Sequence, residues 1–400
     1  MRRILFKAAS FIFAFVLMLA GASPAFADDA PEDKYLQEKL DEAYEGLQKK
    51  TGSKQILKAS DYYAPGDSTG DWTAMAVAIA GKDDDTEGYL KGLREYIETE
   101  YASGGFDRAK PTEFQRMSLT ILMLGGDPQE FAKDPEGNYL DLIGMGTYSF
   151  REGSPSWQGS NAVMYALVVM ESAGVDAPKG SGITKESLIK ELLGYQKEDG
   201  SFALSPAVDG FPDVTAMAIY ALAPYRDDPE VSAALDKAVD YISGLQADDG
   251  GIAGFTGEQD CETISQVIMA LASLGIDPFT DERFVKNGHT LIEALDRFRL
   301  EDGTYMHAAS VGNTDYMSTE SAMIALLSVQ RRRSEDRWLF DTEGLPAKAE
   351  DDGKMSIGGI IALGVGVFVY GLFMAYFIKR FRYPDRGNGS EKPPGSQGDQ

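Results

Sequence analysis

Residues 71–77 read DWTAMAV, and residues 213–219 read DVTAMAI. Two such runs in one chain raise the question of whether the whole chain is a repeat. The echo continues, more weakly, at residues 264–271 (ISQVIMAL) and 319–326 (TESAMIAL). Residues 114–128 (FQRMSLTILMLGGDP) align without a gap on residues 264–278 (ISQVIMALASLGIDP), and residues 161–167 supply a further copy. That makes about six copies at intervals of roughly 40–55 residues, a period of helical-pair repeats.

Each copy holds two helices of different character. The quoted one is short and apolar almost all round, so it is expected to be buried. The one before it is amphipathic: in the best example Ala233, Leu235, Ala238, Ile242 and Leu245 share one face, with Asp236, Lys237 and Asp240 elsewhere. Turns rich in aspartate and glycine separate them, as at Asp199-Gly200, Asp249-Gly250 and Asp302-Gly303. There glycine can stop a helix with a left-handed cap. Strand signals are poor throughout. Repeats of this kind bury their faces only against neighbours. Six apolar helices therefore form an inner ring, six amphipathic ones an outer ring, and the ends meet. The expected fold is an all-α α6/α6 toroid, with one C-terminal transmembrane helix beside it.

The ends of the chain set its expected location. Arg2, Arg3 and Lys7 precede an apolar run from Ala8 to Ala20, and Ala25-Phe26-Ala27 offers a cleavage site, which reads as a secretory signal peptide over residues 1–27. Residues 28–335 form the toroid domain and residues 336–354 a juxtamembrane linker. From Ser356 to Ile378 the chain runs without a charge, long enough to cross a hydrocarbon core of about 30 Å. A transmembrane helix is expected over residues 355–378. Lys379, Arg380 and Arg382 follow it, placing residues 379–400 in the cytoplasm. The expectation is a single-pass protein of the cell membrane with an extracytoplasmic toroid. The formal charge of −25, from 63 acidic and 38 basic residues, excludes nucleic acid as a partner. The single cysteine, Cys261, excludes an internal disulfide.

The turn segments carry a family resemblance. Residues 196–202 (QKEDGSF) and 246–252 (QADDGGI) resemble the glutamine–glycine–aromatic repeat of squalene and terpene cyclases and protein prenyltransferases. The resemblance spans most of residues 35–332 and implies the same toroid. Residues 213–332 look closer still to bacterial surface proteins whose helical domain is similar to that of intrinsic factor and transcobalamin. That branch implies a corrinoid as ligand and no bound cofactor. Its smaller β-rich second domain has no counterpart here. The Asp-any-Asp-Asp acid of the cyclases is missing: Asp83-Asp84-Asp85 follows Lys82 in a polar loop. The prenyltransferase zinc set, Asp-any-Cys with a distant His, is also incomplete. Gln259 lies two residues before Cys261, and neither Met317 nor Ser318 supplies the histidine. No metal site is therefore expected.

Parallel inner helices would gather their N-termini at one rim. Asp71, Asp213 and Thr319 open such helices and read first as caps. Glu262, Gln266 and Glu320 interrupt apolar segments, where a polar group needs a partner or a wet cavity. Trp72, Trp157, Phe211, Tyr305 and Tyr316 lie in or near the connecting segments. From these come the candidate ligand-binding residues: Trp72, Trp157, Asn161, Phe211, Asp213, Glu262, Gln266, Tyr316 and Glu320. No catalytic residue is assigned. Three readings stay open. One is a membrane-anchored binding protein for a corrinoid or another small apolar ligand. Another is a cyclase- or prenyltransferase-like enzyme acting on an isoprenoid lipid. The third is a structural partner of a transporter or envelope complex. A filled ring centre would remove both ligand readings; a cavity with aromatics and converging acids would favour the enzyme.

Overall fold

The copies of the repeat become pairs of helices in the structure, a computed structural model that describes residues 30–343 and 345, apart from 108, 151 and 152. The expected signal peptide, membrane helix and tail lie outside the described residues. The amphipathic helices are α1 (Pro31–Thr51), α3 (Thr86–Ser103), α5 (Leu142–Gly146), α7 (Lys185–Leu193), α9 (Pro229–Leu245) and α11 (Leu291–Asp296). Alternating with them are the apolar helices α2 (Ser68–Ile79), α4 (Pro111–Met123), α6 (Ser160–Ser172), α8 (Pro212–Leu222), α10 (Cys261–Ser273) and α12 (Tyr316–Glu335). Among the described residues the only β pairing is isolated bridges.

The even-numbered helices contact one another in the order α2, α4, α6, α8, α10, α12 and back to α2, which is a closed ring. The odd-numbered helices pack outside it. Burial follows the two characters: α10 buries eleven of its thirteen residues, whereas α9 buries one stripe, Val231, Ala234, Leu235, Ala238, Val239 and Ile242. That stripe is rotated slightly from the expected one. Ala233 and Leu245 face solvent.

The aspartate–glycine turns do more than stop helices. The Gln246 side chain donates to Gly250 O within its own turn and to Phe284 O of the following repeat, each at 2.9 Å. Gln196 does the same to Gly200 O and Ala234 O. Gly250 has φ +84°, and a Cβ there would lie 2.7 Å from Thr290 O. Only glycine suits both the left-handed backbone and the close approach. So the glutamine and glycine are stitches between adjacent repeats. At the last turn Arg299 replaces the glutamine and reaches Glu42 of α1 at 3.0 Å, while Lys50 pairs with Asp302 at 2.8 Å. Arg333 to Asp33 at 2.6 Å and Gln330 to Gln37 at 2.9 Å complete the seam between the ends.

The caps are not the expected ones. Asp67, Asp260 and Asp315 cap α2, α10 and α12, and α8 has no side-chain cap. Asp71 sits inside α2, fully buried. Its carboxylate accepts from Arg116 Nε at 2.9 Å, Tyr89 OH at 2.8 Å and Gly66 N at 3.0 Å, an inter-helix ion pair rather than a cap. Thr319 accepts from Tyr305 N at 3.0 Å and donates to Asp315 O at 2.7 Å. Thr215 repeats the device with Phe202 and Phe211. Each threonine fastens the preceding turn to its inner helix.

Beyond α12 the chain does not leave the toroid at once, as a linker would. Residues 338–340 pack into the ring's C-terminal end, with Leu339 and Phe340 buried. Phe340 meets Trp338, Tyr220 and Trp72 at ring-centroid distances of 5.3, 5.9 and 6.4 Å. The buried guanidinium of Arg331 holds this plug by donating to Leu339 O at 2.7 Å and Asp341 O at 3.0 Å. Arg332 donates to Ala272 O and Ser273 O at the end of α10. These arginines answer carbonyls of neighbouring segments.

Candidate functional site

With one end plugged, the ring keeps a cavity of about 630 Å³ at the other, within the range of small-molecule pockets. Its walls come from the first turns of α2, α6, α8, α10 and α12 and from the loops before α10 and α12. Trp72, Tyr165, Phe255, Met217, Met269 and Ile324 supply the apolar surface. Met269 and Ile324 are the ninth residues of their helices, so the cavity descends about two turns into the ring. Its floor is shared with the plug, because Trp72 also touches Phe340.

Polar groups converge on the same space: Asp213, Asp260, Glu262, Asp315, Glu320, Gln266 and His307. They divide into committed and uncommitted sets. Asp260 and Asp315 are caps, Asp260 taking Thr263 N at 2.7 Å and Thr263 Oγ1 at 3.0 Å. Glu262 bridges His307 Nδ1 at 2.7 Å and Ser318 Oγ at 2.5 Å. That bond raises the His307 pKa above its usual 6.5. Glu320, in contrast, is 4 % exposed and is held only by Thr73 Oγ1, at 3.3 Å. Burial pushes its carboxyl well above the ordinary range. Asp213 is also pushed up by burial, and its Oδ1 has no partner among the described residues. Neither has Gln266 Oε1.

Of the residues singled out from sequence, Trp72, Asp213, Glu262, Gln266 and Glu320 come together here. The other four do not line the cavity. Phe211 stands one layer out, edge-on to Phe255 with centroids 4.9 Å apart. Tyr316 stacks with Tyr62 and Tyr63 at the closure seam. Trp157 is 69 % exposed on the loop before α6. Asn161 is the second residue of α6, and its buried Oδ1 has no partner among the described residues. Tyr305 is core. Sequence reading missed Tyr165, Met217, Met269 and Ile324, although each stands three or four residues past a named rim position, where a helix returns to the same face.

A metal-capable grouping around Glu262 was missed as well. Asp260, Glu262 and His307 bring ligand atoms within 4.8 Å of one another. The search from sequence centred on Cys261, which is wholly buried, contacts Ser318 O, and is held as a neutral thiol by that burial. The cluster's four carboxylate oxygens already accept bonds within the protein. The arrangement is a hydrogen-bonded strut joining the α10 cap, the loop at His307 and the start of α12.

No protein-family model and no curated protein sequence matches the chain. Solved structures do. The unsaturated glucuronyl hydrolase of Bacillus sp. GL1 is similar over 77 % of this chain and 100 % of its own, with a TM-score of 0.51 at 12 % identity. The hydrolase from Streptococcus agalactiae covers 77 % and 93 %, with a TM-score of 0.50 at 9 % identity. A Candida albicans protein geranylgeranyltransferase-I matches over 74 % of this chain and 92 % of its own, at 12 % identity and a TM-score of 0.48. At such identities the likeness concerns fold. The chain is an α/α toroid.

Proposed function

We propose that this chain is a membrane-anchored, extracytoplasmic binding protein whose rim cavity takes a small molecule with hydrogen-bond donors on an apolar body. A corrinoid is the named candidate. One observation carries the reading: an open cavity with aromatic and methionine walls in which Asp213 Oδ1 and Gln266 Oε1 are buried acceptors without a partner among the described residues, with no lysine or arginine among the residues lining it. The amide-bearing edge of a corrinoid offers donors of the kind those acceptors lack. A diphosphate would meet carboxylates without a compensating cation, and so would the carboxylate of a glucuronyl sugar, the group the neighbouring hydrolases are named for. The membrane anchor rests on the uncharged run from Ser356 to Ile378. The test is a cobalamin titration of the full chain in detergent, read as melting temperature. Binding at a hundred times Kd should stabilise it by about 2.7 kcal/mol, and Ser321→Trp, which fills the cavity, should abolish the shift. An unchanged melting temperature at saturating cobalamin would remove the corrinoid.

An enzyme reading is favoured by one feature. Burial pushes the Glu320 carboxyl well above the ordinary range beside an aromatic-lined space, the direction that acid-initiated chemistry on an isoprenoid alkene requires. Yet the acids converge only in part, since Asp260, Asp315 and Glu262 are bound to their neighbours. Cyclised product from squalene, lost in Glu320→Gln, would put this reading first. The envelope-partner reading rests on the rim, where Phe255, Trp157, Met317 and Val311 expose apolar side chains. Cross-linking in native membranes that is lost in Phe255→Glu would support it.

A further inference from the structure

Resting on the binding reading, though with an occupant other than a corrinoid, we propose that the deep end of the rim cavity is a subsite for a primary ammonium group, so that the ligand is an amine with an apolar or aromatic body. Two buried acceptor atoms of side chains that line this space, Asp213 Oδ1 and Gln266 Oε1, have no partner among the described residues, and beside them the Glu320 carboxyl accepts a single bond, at Oε2, from Thr73 Oγ1. A buried acceptor left without a donor costs about 1–3 kcal/mol, so two on one cavity, beside a carboxyl with one oxygen unbonded, mark an absent donor. A primary ammonium has three N–H donors and no acceptor, enough for both of these atoms and the unbonded Glu320 oxygen.

Charge points the same way. Helix N-termini carry a positive dipole end and favour anions, so a cavity at such a rim should by default be an anion site. Here Asp67, Asp260 and Asp315 already cap three of those ends, and Glu262 is matched by His307. Glu320 and Asp213 have no counter-charge among the described residues. Glu320 also breaks the repeat. Ala216 and Ser265 stand at the corresponding position, five residues into α8 and α10, so ring packing does not ask for a carboxylate there. Trp72 and Tyr165, whose rings lie 5.9 Å apart on the same wall, present π faces that attract a cation.

Three probes of one shape separate the terms: phenethylamine, phenethyltrimethylammonium and phenethyl alcohol, titrated calorimetrically into the full chain near neutral pH. The amine should bind at least about ten-fold more tightly than either analogue, because the trimethyl compound has charge without donors and the alcohol a donor without charge. Glu320→Gln and Asp213→Asn should each weaken the amine about ten-fold and leave the alcohol unchanged, with melting temperatures showing that both variants fold. Equal binding of amine and alcohol, or undiminished amine binding in both variants, overturns the proposal. If all three probes fail while cobalamin binds and Ser321→Trp abolishes it, the ammonium subsite falls and the binding reading stands. If cobalamin fails too, both fall.

Discussion

The Asp71–Arg116 pair gives the most direct test of how the inner ring is tied together. In Asp71→Asn the retained oxygen can still accept from Gly66 N and Tyr89 OH, but an amide N–H₂ now faces the Arg116 Nε that donated at 2.9 Å. Removing one partner of a fully buried pair typically costs about 3–5 kcal/mol. Two features reduce that figure. The Arg116 side chain is 19 % exposed and keeps its 2.7 Å bond to Gly66 O. Burial also pushes the Asp71 carboxyl up, so the amide escapes a desolvation cost that the carboxylate bears. The net loss should be about 2 kcal/mol, or roughly 3 °C in melting temperature for a domain of this size. Urea unfolding followed by circular dichroism measures it. A cycle with Arg116→Met isolates the pair, and the double variant should recover at least about 1 kcal/mol relative to the sum of the singles. A coupling below about 0.5 kcal/mol would refute the assignment of this contact as the tie between α2 and α4.

Glu320→Gln should raise the melting temperature. A carboxyl whose folded pKa is raised bears no penalty below its unfolded value, near 4.5, and loses stability as pH rises from there to the folded value. The advantage of the variant should therefore be present at neutral pH and vanish in acid; a constant offset would contradict it. His307 should titrate above 6.5 by NMR and fall toward that value in Glu262→Gln. The stability it lends is fully present below the unfolded pKa and lost as pH rises through the raised folded one. It is small, because the imidazole is half exposed. Phe340→Ala should cost about 3 kcal/mol and change the fluorescence of Trp72 and Trp338; a loss under about 1 kcal/mol would mean that the plug is not part of the folded unit. Gln246→Ala should cost about 2 kcal/mol by orphaning Gly250 O and Phe284 O, measured by urea unfolding, and no loss would refute its role as a stitch.

The ring was legible because its signal is repeated: short apolar helices and aspartate–glycine turns recur until one reading fits them all. The site was legible only where a residue broke that pattern, as Glu262, Gln266 and Glu320 do. What stayed hidden depended on contacts distant in sequence. Glu262 and His307 are 45 residues apart, and nothing in either segment announces the other. Asp71 reads as a cap because aspartate near a helix start normally is one; that Asp67 takes that role becomes visible only when Arg116 is brought to Asp71. The plug has no period at all. Trp338, Leu339 and Phe340 read as part of a linker until Arg331 is seen collecting the carbonyls of residues 339 and 341.

The closed ring also imposes a timetable. Thr73 and Glu320, which meet across the joint of α2 and α12, are 247 residues apart. At synthesis rates of about 5–20 residues per second, α2 emerges some 10–50 s before its last neighbour exists. Through that interval the apolar flanks of the early inner helices have only half their partners, and the plug has no opening to enter. The protein cannot mature repeat by repeat as an open array can; the arrival of its final helix is the event that makes the earlier ones stable.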